Sequence, residues 1–433
     1  MLVRNNQLIN DDLWIRNGKI MYPQDIFFKE KRKADYCFDC KGAIISPGYI
    51  DLQINGGFGY DFSFPDESTA EKDILLEVAK ELPAYGTTAF CPTIVTSLPE
   101  TYKKLLPRYQ RRKGSAKDGA TVLGVHVEGP FIDPTKHGAH RTDFLRQVPN
   151  GMDDILDCYG SLDNVSIITI APEIPNVLEH VIPRLVDEYG IIVSLGHSLS
   201  NLTDGEKAVC AGARFITHLF NAMSSFHHRD PGLIGLLTSH QLSSSTPVYY
   251  GLIVDGIHTH SAAVRLAHCV HPNGLVLVTD AVIALGFSDG EYNLGENKIT
   301  VKGKRATICG EETLAGSIAS MSDCVKYFRQ ALLDGETNNS IYIKHHPQNE
   351  KHRFVVEAIN SATLHPAQVL KIDKQKGTLN YGADADFILL DHDLNVLATY
   401  IGGDQAWCIN DEWSNEKLLI KDNEQKEKEN LPC

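Results

Sequence analysis

The chain has 433 residues, of which 42% are hydrophobic and 22% charged, a balance that suits a soluble globular protein and excludes a disordered or membrane-embedded one. A formal net charge of −14 and a pI near 5.7 would repel a phosphodiester backbone, and no local basic face offsets it, so nucleic acid is excluded as a partner. An anionic small molecule is not excluded, because a pocket can invert the global sign. Ten scattered cysteines read as reduced thiols, Met1 to Lys19 lacks the apolar core of a signal peptide, and no apolar run reaches the roughly 18 residues of a membrane span, so a cytosolic location is the default.

In chain order, residues 1–48 read as short strands and turns (Leu13 to Ile15, Asn17-Gly18, Cys37 to Ile45), too small to stand alone. Cys37 and Cys40 form a C-x-x-C with no second pair, so no metal is expected there. A matching set of strands lies near the other end, at Gly377 to Leu379, Ala385 to Leu390 and Ala398 to Ile401, and residues 1–48 and 373–410 are expected to form one small β domain. The stretch 411–433 is charged and reads as a solvated tail with no chemistry assigned.

Between them, residues 49–372 alternate β-branched runs with amphipathic segments. The expected strands are Gly48 to Gln53, Thr87 to Cys91, Thr121 to Val127, Val165 to Ala171, Ile191 to Leu195, Arg214 to Thr217, Tyr249 to Val254 and Leu275 to Thr279. Helical periods separate them, as over 69–85, where Ile74, Leu75, Val78, Ala79 and Leu82 share a face, and over Leu178 to Tyr189. Eight such units fit an α/β chain closed into a (β/α)8 TIM-type barrel flanked by the small β domain. An open doubly wound sheet is the alternative, but its Gly-rich fingerprint is missing after the first strand, where Gln53-Ile54-Asn55-Gly56-Gly57 stands.

A barrel builds its active site beyond the C-terminal ends of its strands. The third strand runs into His126-Val127-Glu128-Gly129-Pro130, the fifth into Gly196-His197-Ser198, the sixth into Thr217-His218 and the eighth into Thr279-Asp280-Ala281. A borderline-soft divalent ion accepts one carboxylate and two neutral imidazoles, so Glu128, His197 and His218 are the expected ligands of a metal that activates water, and Asp280 is the expected proton carrier. Any one of these histidines alone reads more simply as a buried hydrogen-bonding residue; four polar residues at strand ends do not. His126 is either a supporting or a packing residue. The run His227-His228-Arg229 is either a solvated loop or a grip for an anionic substrate group. A Ser-His-Asp hydrolase is disfavoured, because no G-x-S-x-G elbow follows a strand, and Gly316-Ser317 reads as a contact loop.

Pro47 to Asp51 and Gly377 to Asp391, together with HVEGPF from His126, GHS from Gly196, THLFNAM from Thr217, HHRDPG from His227, VDGIHTH from Val254, LVTDA from Leu277 and LAGSIASM from Leu314, resemble the N-acetylglucosamine-6-phosphate deacetylases of the amidohydrolase superfamily. The likeness spans Pro47 to Gly403. Many amidohydrolases carry His-x-His after the first strand for a second metal; this chain has Gln53 and Asn55 there, and the resemblance to the single-metal deacetylases implies one ion per subunit, with Zn²⁺ preferred and Co²⁺, Mn²⁺ or Fe²⁺ compatible. The resemblance further implies substrate contacts at Ala139, His140, Asn221, Ala222, Arg229, Asp255, Gly256, Ile257, His258, Leu314, Ala315 and Gly316. In it, His140 helps polarise the acetamide carbonyl, Arg229 and Asn221 hold the 6-phosphate, and His258 holds the sugar. The phosphate-binding arginine of this family comes from a neighbouring subunit, so a homodimer is implied. The implied reaction is hydrolysis of N-acetyl-D-glucosamine 6-phosphate to D-glucosamine 6-phosphate and acetate. The rivals are an amidohydrolase acting on a non-phosphorylated amide and a non-catalytic barrel.

Overall fold

Eight short, largely buried runs lie side by side in the order in which they occur in the chain. The structure is a computed structural model that describes residues 1–64, 72–242, 247–294, 297–336 and 350–420. The strands are β1 (Tyr49–Ile54), β2 (Thr87–Val95), β3 (Val125–Glu128), β4 (Val165–Ile170), β5 (Ile192–Leu195), β6 (Phe215–Ile216), β7 (Tyr249–Leu252) and β8 (Leu275–Leu277), each parallel to the next. The cylinder closes where β8 runs out. Asp280 N–H donates to the Gln53 carbonyl at 2.8 Å, Asn55 N–H donates to the Ala281 carbonyl at 2.7 Å, and Ile54 bridges Ala281 in parallel. The open-sheet alternative is thereby set aside.

The two-residue period of the strands divides the interior from the helix-facing side. Ile50, Leu52, Ala89, Cys91, Ile167, Ile192, Phe215, Val276 and Val278 form one buried cluster inside the barrel, while Phe90, Ile94, Val125, Val127, Ile168, Ile170, Val193, Leu195, Ile216, Leu252 and Leu277 belong to the larger cluster beneath the helices. His126, Glu128, Thr169, Ser194 and Thr217 alternate with the helix-facing residues of their own strands, so they point inward. The third strand was expected in one piece. It is interrupted, with a separate Thr121–Val122 segment paired to β2, because Gly124 adopts φ +106° and the register shifts between Val125 and His126. A side chain at Gly124 would meet Ser166 Oγ.

The helix expected over 69–85 is observed as Ile74–Glu81, capped by Asp73, whose carboxylate accepts from Leu76 N–H at 3.1 Å. Ile74, Leu75, Val78 and Ala79 are its buried face. Residues 69–71 lie outside the described residues. Over 178–189 the chain forms a wide turn, Val177–Val181, and then the helix Ile182–Asp187.

A six-stranded sheet draws on both chain ends, in the order Gln7–Ile9, Leu2–Arg4, Ile44–Pro47, Phe387–Leu390, Val396–Ile401, Asp404–Cys408. The sequence expectation is corrected in several places: of Leu13 to Ile15 only Ile15 is in a strand, Ile15–Arg16, paired with Lys19–Ile20 outside this sheet, and the expected solvated tail begins with the ordered elements Asp411–Trp413 and Asn415–Leu418. The strand expected over Cys37 to Ile45 begins only at Ile44, the run Gly377 to Leu379 is not a strand, and Leu2–Arg4, Gln7–Ile9 and Asp404–Cys408 are additional strands. The short helix Asn415–Leu418 packs on this sheet, with Leu418 buried and Ile420 N–H donating to the Cys37 carbonyl at 2.8 Å. Residues 421–433 of the expected tail lie outside the described residues. A three-stranded antiparallel sheet, Gly290–Leu294, Asn297–Lys302 and Arg305–Ile308, follows β8 and delivers the loop 314–317 to the barrel mouth. No helix among the described residues is long and apolar enough to cross a membrane.

Leu389 pairs with Ile45 across this sheet and is buried within its apolar cluster. Leu389→Ala is expected to lower the free energy of unfolding by roughly 2–5 kcal/mol, read from urea denaturation.

Candidate active site

Glu128 is the last residue of β3, and His197 and His218 stand just past the ends of β5 and β6. Glu128 Oε1 lies 3.1 Å from His197 Nε2 and 3.1 Å from His218 Nε2, and the two Nε2 atoms are 3.0 Å apart. All three side chains are buried. Burial alone would raise the Glu128 carboxyl, but the hydrogen bonds to His197 and His218 outweigh it and hold the group well below the usual range. Burial likewise disfavours charge on His218, and Glu128 reverses this and raises it. The three groups thus share a demand for positive charge at one point, which a divalent cation meets better than a proton.

The ring orientation of His197 fits that reading. Its Nδ1 lies 2.8 Å from the Lys136 carbonyl, which can only accept, so Nδ1 carries the proton and Nε2 turns a lone pair toward Glu128. His140 also comes close, since Glu128, His140 and His197 have ligand-capable atoms within 4.8 Å of one another. Its tautomer argues against ligation. Thr96 N–H donates to His140 Nδ1 at 3.3 Å and the Thr96 hydroxyl lies 2.7 Å from the same atom, which leaves the proton on Nε2. Burial, followed by the neighbouring His197, lowers His140 to about 3, so the ring is neutral and serves as a hydrogen-bond donor.

Asp280 sits on the opposite side of Glu128, held by the two amides that stand where many amidohydrolases carry His-x-His. Gln53 Nε2 donates to Glu128 Oε1 at 2.9 Å and to Asp280 Oδ1 at 3.2 Å, and Asn55 Nδ2 donates to Asp280 Oδ1 at 2.7 Å. Burial, then the Glu128 charge, push Asp280 up to about 6, against the pull of His218 and the Asn55 hydrogen bond. His197, His218 and Asp280 have φ of +49°, +27° and +48°, and Ala222 +49°. Side chains with a β-carbon avoid this region, at a cost of order 1–3 kcal/mol each, and such strain persists where the surroundings over-determine the conformation, characteristically at functional sites.

His126 points inward below Glu128. Its Nδ1 donates to the Leu52 carbonyl at 3.0 Å and its Nε2 lies 2.8 Å from Thr169 Oγ1, which continues through Thr217 Oγ1 at 2.7 Å to Ser194. Burial lowers it to about 4, so it is a neutral support.

The quartet opens into a cleft of about 230 Å³. Of the expected substrate contacts, Ala139, His140, Asn221, Ala222 and His258 line it on one side. Leu314, Ala315 and Gly316 line another side, where Ser317 N–H donates to the Asp280 carbonyl at 3.0 Å. Gly316 has φ +98°, and a β-carbon there would lie 2.6 Å from Val282 Cγ1. Asp255, Gly256 and Ile257 do not line the cleft; they shape the turn beneath His258. Asp255 Oδ1 accepts from the backbone N–H groups of Ile257 and His258, each at 2.8 Å, and Oδ2 lies 2.7 Å from His258 Nδ1. Burial would raise Asp255, but the His258 interaction holds it below its ordinary value. Arg229 is exposed outside the cleft, with Nη1 3.2 Å from His228 Nε2. Thr96, the Lys136 carbonyl and the amides of Gln53 and Asn55 are partners that sequence spacing did not reveal, although the Gln53-Ile54-Asn55 position was itself visible.

A parallel barrel with one carboxylate, two imidazoles and a further aspartate at its mouth defines a class of metal-assisted hydrolases, and the family comparison agrees. Residues 44–406 match the amidohydrolase family, to which the chain belongs. It is 50% identical over 407 residues, 94% of each chain, to the N-acetylglucosamine-6-phosphate deacetylase of Mus musculus, and its place is within that branch. The crystal structure of the deacetylase from Thermotoga maritima superposes with a TM-score of 0.71 at 29% identity, covering 92% of this chain and 94% of the other. An Asp-to-Ala mutant of the Mycobacterium smegmatis enzyme, in complex with N-acetyl-D-glucosamine 6-phosphate, gives 0.68 at 30% identity over 84% and 87%.

His197→Ala and His218→Ala are each expected to abolish stoichiometric metal binding, measured by elemental analysis of the purified protein. Full retention of metal by either variant would remove that residue from the ligand set.

Proposed function

We propose that this chain hydrolyses N-acetyl-D-glucosamine 6-phosphate to D-glucosamine 6-phosphate and acetate. The observation that carries the reading is the meeting of Glu128, His197 and His218 beside Asp280, in a cleft whose other walls carry the deacetylase motifs. A divalent ion held by the first three residues would supply Lewis acidity toward the acetamide carbonyl and lower the pKa of water. The donor set suits Zn²⁺ and also admits Co²⁺, Mn²⁺ or Fe²⁺. One ion per subunit is the reading favoured by Gln53 and Asn55, whose amide N–H groups donate to the two carboxylates instead of offering lone pairs there.

Asp280 takes the proton of the attacking water and delivers it to the departing nitrogen. The His140 Nε2–H stabilises the oxyanion, since the Thr96 contacts to Nδ1 leave the proton on Nε2. His258, oriented by Asp255, and the 314–316 loop hold the sugar. Asn221 and Ala222, which line the cleft, are assigned to the phosphate, and Arg229, which is exposed and outside its own chain's cleft, is suited to complete the phosphate site of a second copy. A homodimer follows from that assignment. Cys91, Cys158 and Cys324 are buried free thiols, in keeping with a cytosolic home.

Acetate release from N-acetylglucosamine 6-phosphate, lost on chelation and restored by Zn²⁺, is the direct test. Asp280→Asn is expected to keep its metal while turnover falls by at least about 10³-fold, since an amide cannot accept the water's proton; near-wild-type kcat would remove Asp280 from that role. Arg229→Ala is expected to raise KM for the phosphorylated sugar and leave kcat/KM for unphosphorylated N-acetylglucosamine unchanged. Equal losses on both substrates would refute the phosphate assignment.

A further inference from the structure

The assigned residues leave one atom of the scissile amide without a partner. The acetamide nitrogen of the substrate carries one hydrogen, and for Asp280 to protonate that nitrogen its developing lone pair must face Asp280. The N–H must therefore be turned aside, and an acceptor close to Asp280 would hold it there. Glu128, His197 and His218 are committed to the cation, and His140 presents a proton.

Asn55 has such an acceptor. It is 7% exposed, lines the cleft, and is fixed by its backbone: its N–H donates to the Ala281 carbonyl at 2.7 Å, and its own carbonyl accepts from Phe62 N–H at 3.0 Å. Nδ2 donates to Asp280 Oδ1 at 2.7 Å, while Oδ1, one amide width away, is buried without a hydrogen-bond partner among the described residues. The amide orientation is set by chemistry. Reversing it would press an amide oxygen against an ionised carboxylate oxygen at hydrogen-bond distance, with no proton between them. A buried amide oxygen left unmatched forfeits its hydration, and that loss is recovered when a donor arrives.

We propose that Asn55 is a further catalytic residue: its Oδ1 accepts the N–H of the scissile acetamide while its Nδ2 holds Asp280. This rests on the deacetylase reading given above. In the step, the water oxygen forms a bond to the acetyl carbon and the water's proton passes to Asp280. The C–N bond then breaks, and Asp280 returns the proton to the nitrogen, which departs as a primary amine retaining the hydrogen that Asn55 had held. The same side chain therefore orients the proton carrier and the atom that receives the proton. It also gives the Gln53-Ile54-Asn55 position a positive role in place of a lost ligand pair.

The test compares N-acetylglucosamine 6-phosphate with 2-O-acetylglucose 6-phosphate, the ester in which an oxygen without hydrogen replaces the N–H. Both substrates are measured on the same sample of metal-loaded enzyme, so a fraction of misfolded protein cancels from the ratio of the two kcat/KM values. For Asn55→Ala, the amide-to-ester ratio is expected to fall about 10-fold from the wild-type value, the effect of one lost hydrogen bond. For Asn55→Asp, which keeps an acceptor oxygen but loses the donor to Asp280, both values should drop while the ratio stays near that of the wild type. An unchanged ratio in Asn55→Ala would reduce Asn55 to a support for Asp280 and overturn the proposal. So would a ratio that falls as far in Asn55→Asp as in Asn55→Ala. Absence of acetate release by the wild type would overturn the deacetylase reading as well, whereas turnover with invariant ratios overturns the Asn55 assignment alone.

Discussion

The seam between β1 and β8 is the constraint on which the site depends. Hydrogen bonds from Asp280 to the Gln53 carbonyl and from Asn55 to the Ala281 carbonyl close the cylinder, and they join residues some 227 positions apart in sequence. Closure brings Asp280 around to face Glu128, and it sets the Gln53 amide between the two carboxylates and the Asn55 amide against Asp280. In an open sheet the first and last strands would lie at opposite edges, and the quartet would not converge.

Convergence carries an electrostatic cost that the barrel sustains. Two imidazole nitrogens and a carboxylate oxygen within about 3 Å of one another, all excluded from water, are tolerable only if a positive charge is shared among them. His197, His218 and Asp280 also accept left-handed backbone conformations to aim their side chains. Around them the apolar clusters inside and outside the strands, and the hydroxyl chain of Thr169, Thr217 and Ser194 that ends on His126, hold the strand ends in place. Strain at the site is thus offset by packing elsewhere.

Tautomers divide labour among histidines that look alike in sequence. The Lys136 carbonyl commits His197 to a free Nε2 lone pair, the Thr96 amide commits His140 to an Nε2 proton, and the Leu52 carbonyl commits His126 to support beneath the mouth. One imidazole becomes suited to binding a cation, another to binding an oxyanion. The distinction is made by backbone groups from segments remote in sequence, so spacing around the histidines could not carry it.

The sequence by itself determined the strand series, because β-branched runs at regular intervals report burial locally, and it placed Glu128, His197, His218 and Asp280 at strand ends, because barrel chemistry always sits there. Local patterning was weaker at the chain ends. Leu2–Arg4 is held between Gln7–Ile9 and Ile44–Pro47, Asp404–Cys408 pairs with Val396–Ile401, and the pairing of Ile44–Pro47 with Phe387–Leu390 joins the two chain ends into one sheet; the three-stranded sheet after β8 likewise depends on its own pairing. Only the tertiary structure decided which of the motif residues face the cleft, that Asp255 to Ile257 act through His258, that Arg229 lies outside its own pocket, and that Gln53 and Asn55 bind carboxylates instead of metal. A residue type and its position follow from the chain; the direction of a hydrogen bond follows from what the fold sets opposite it.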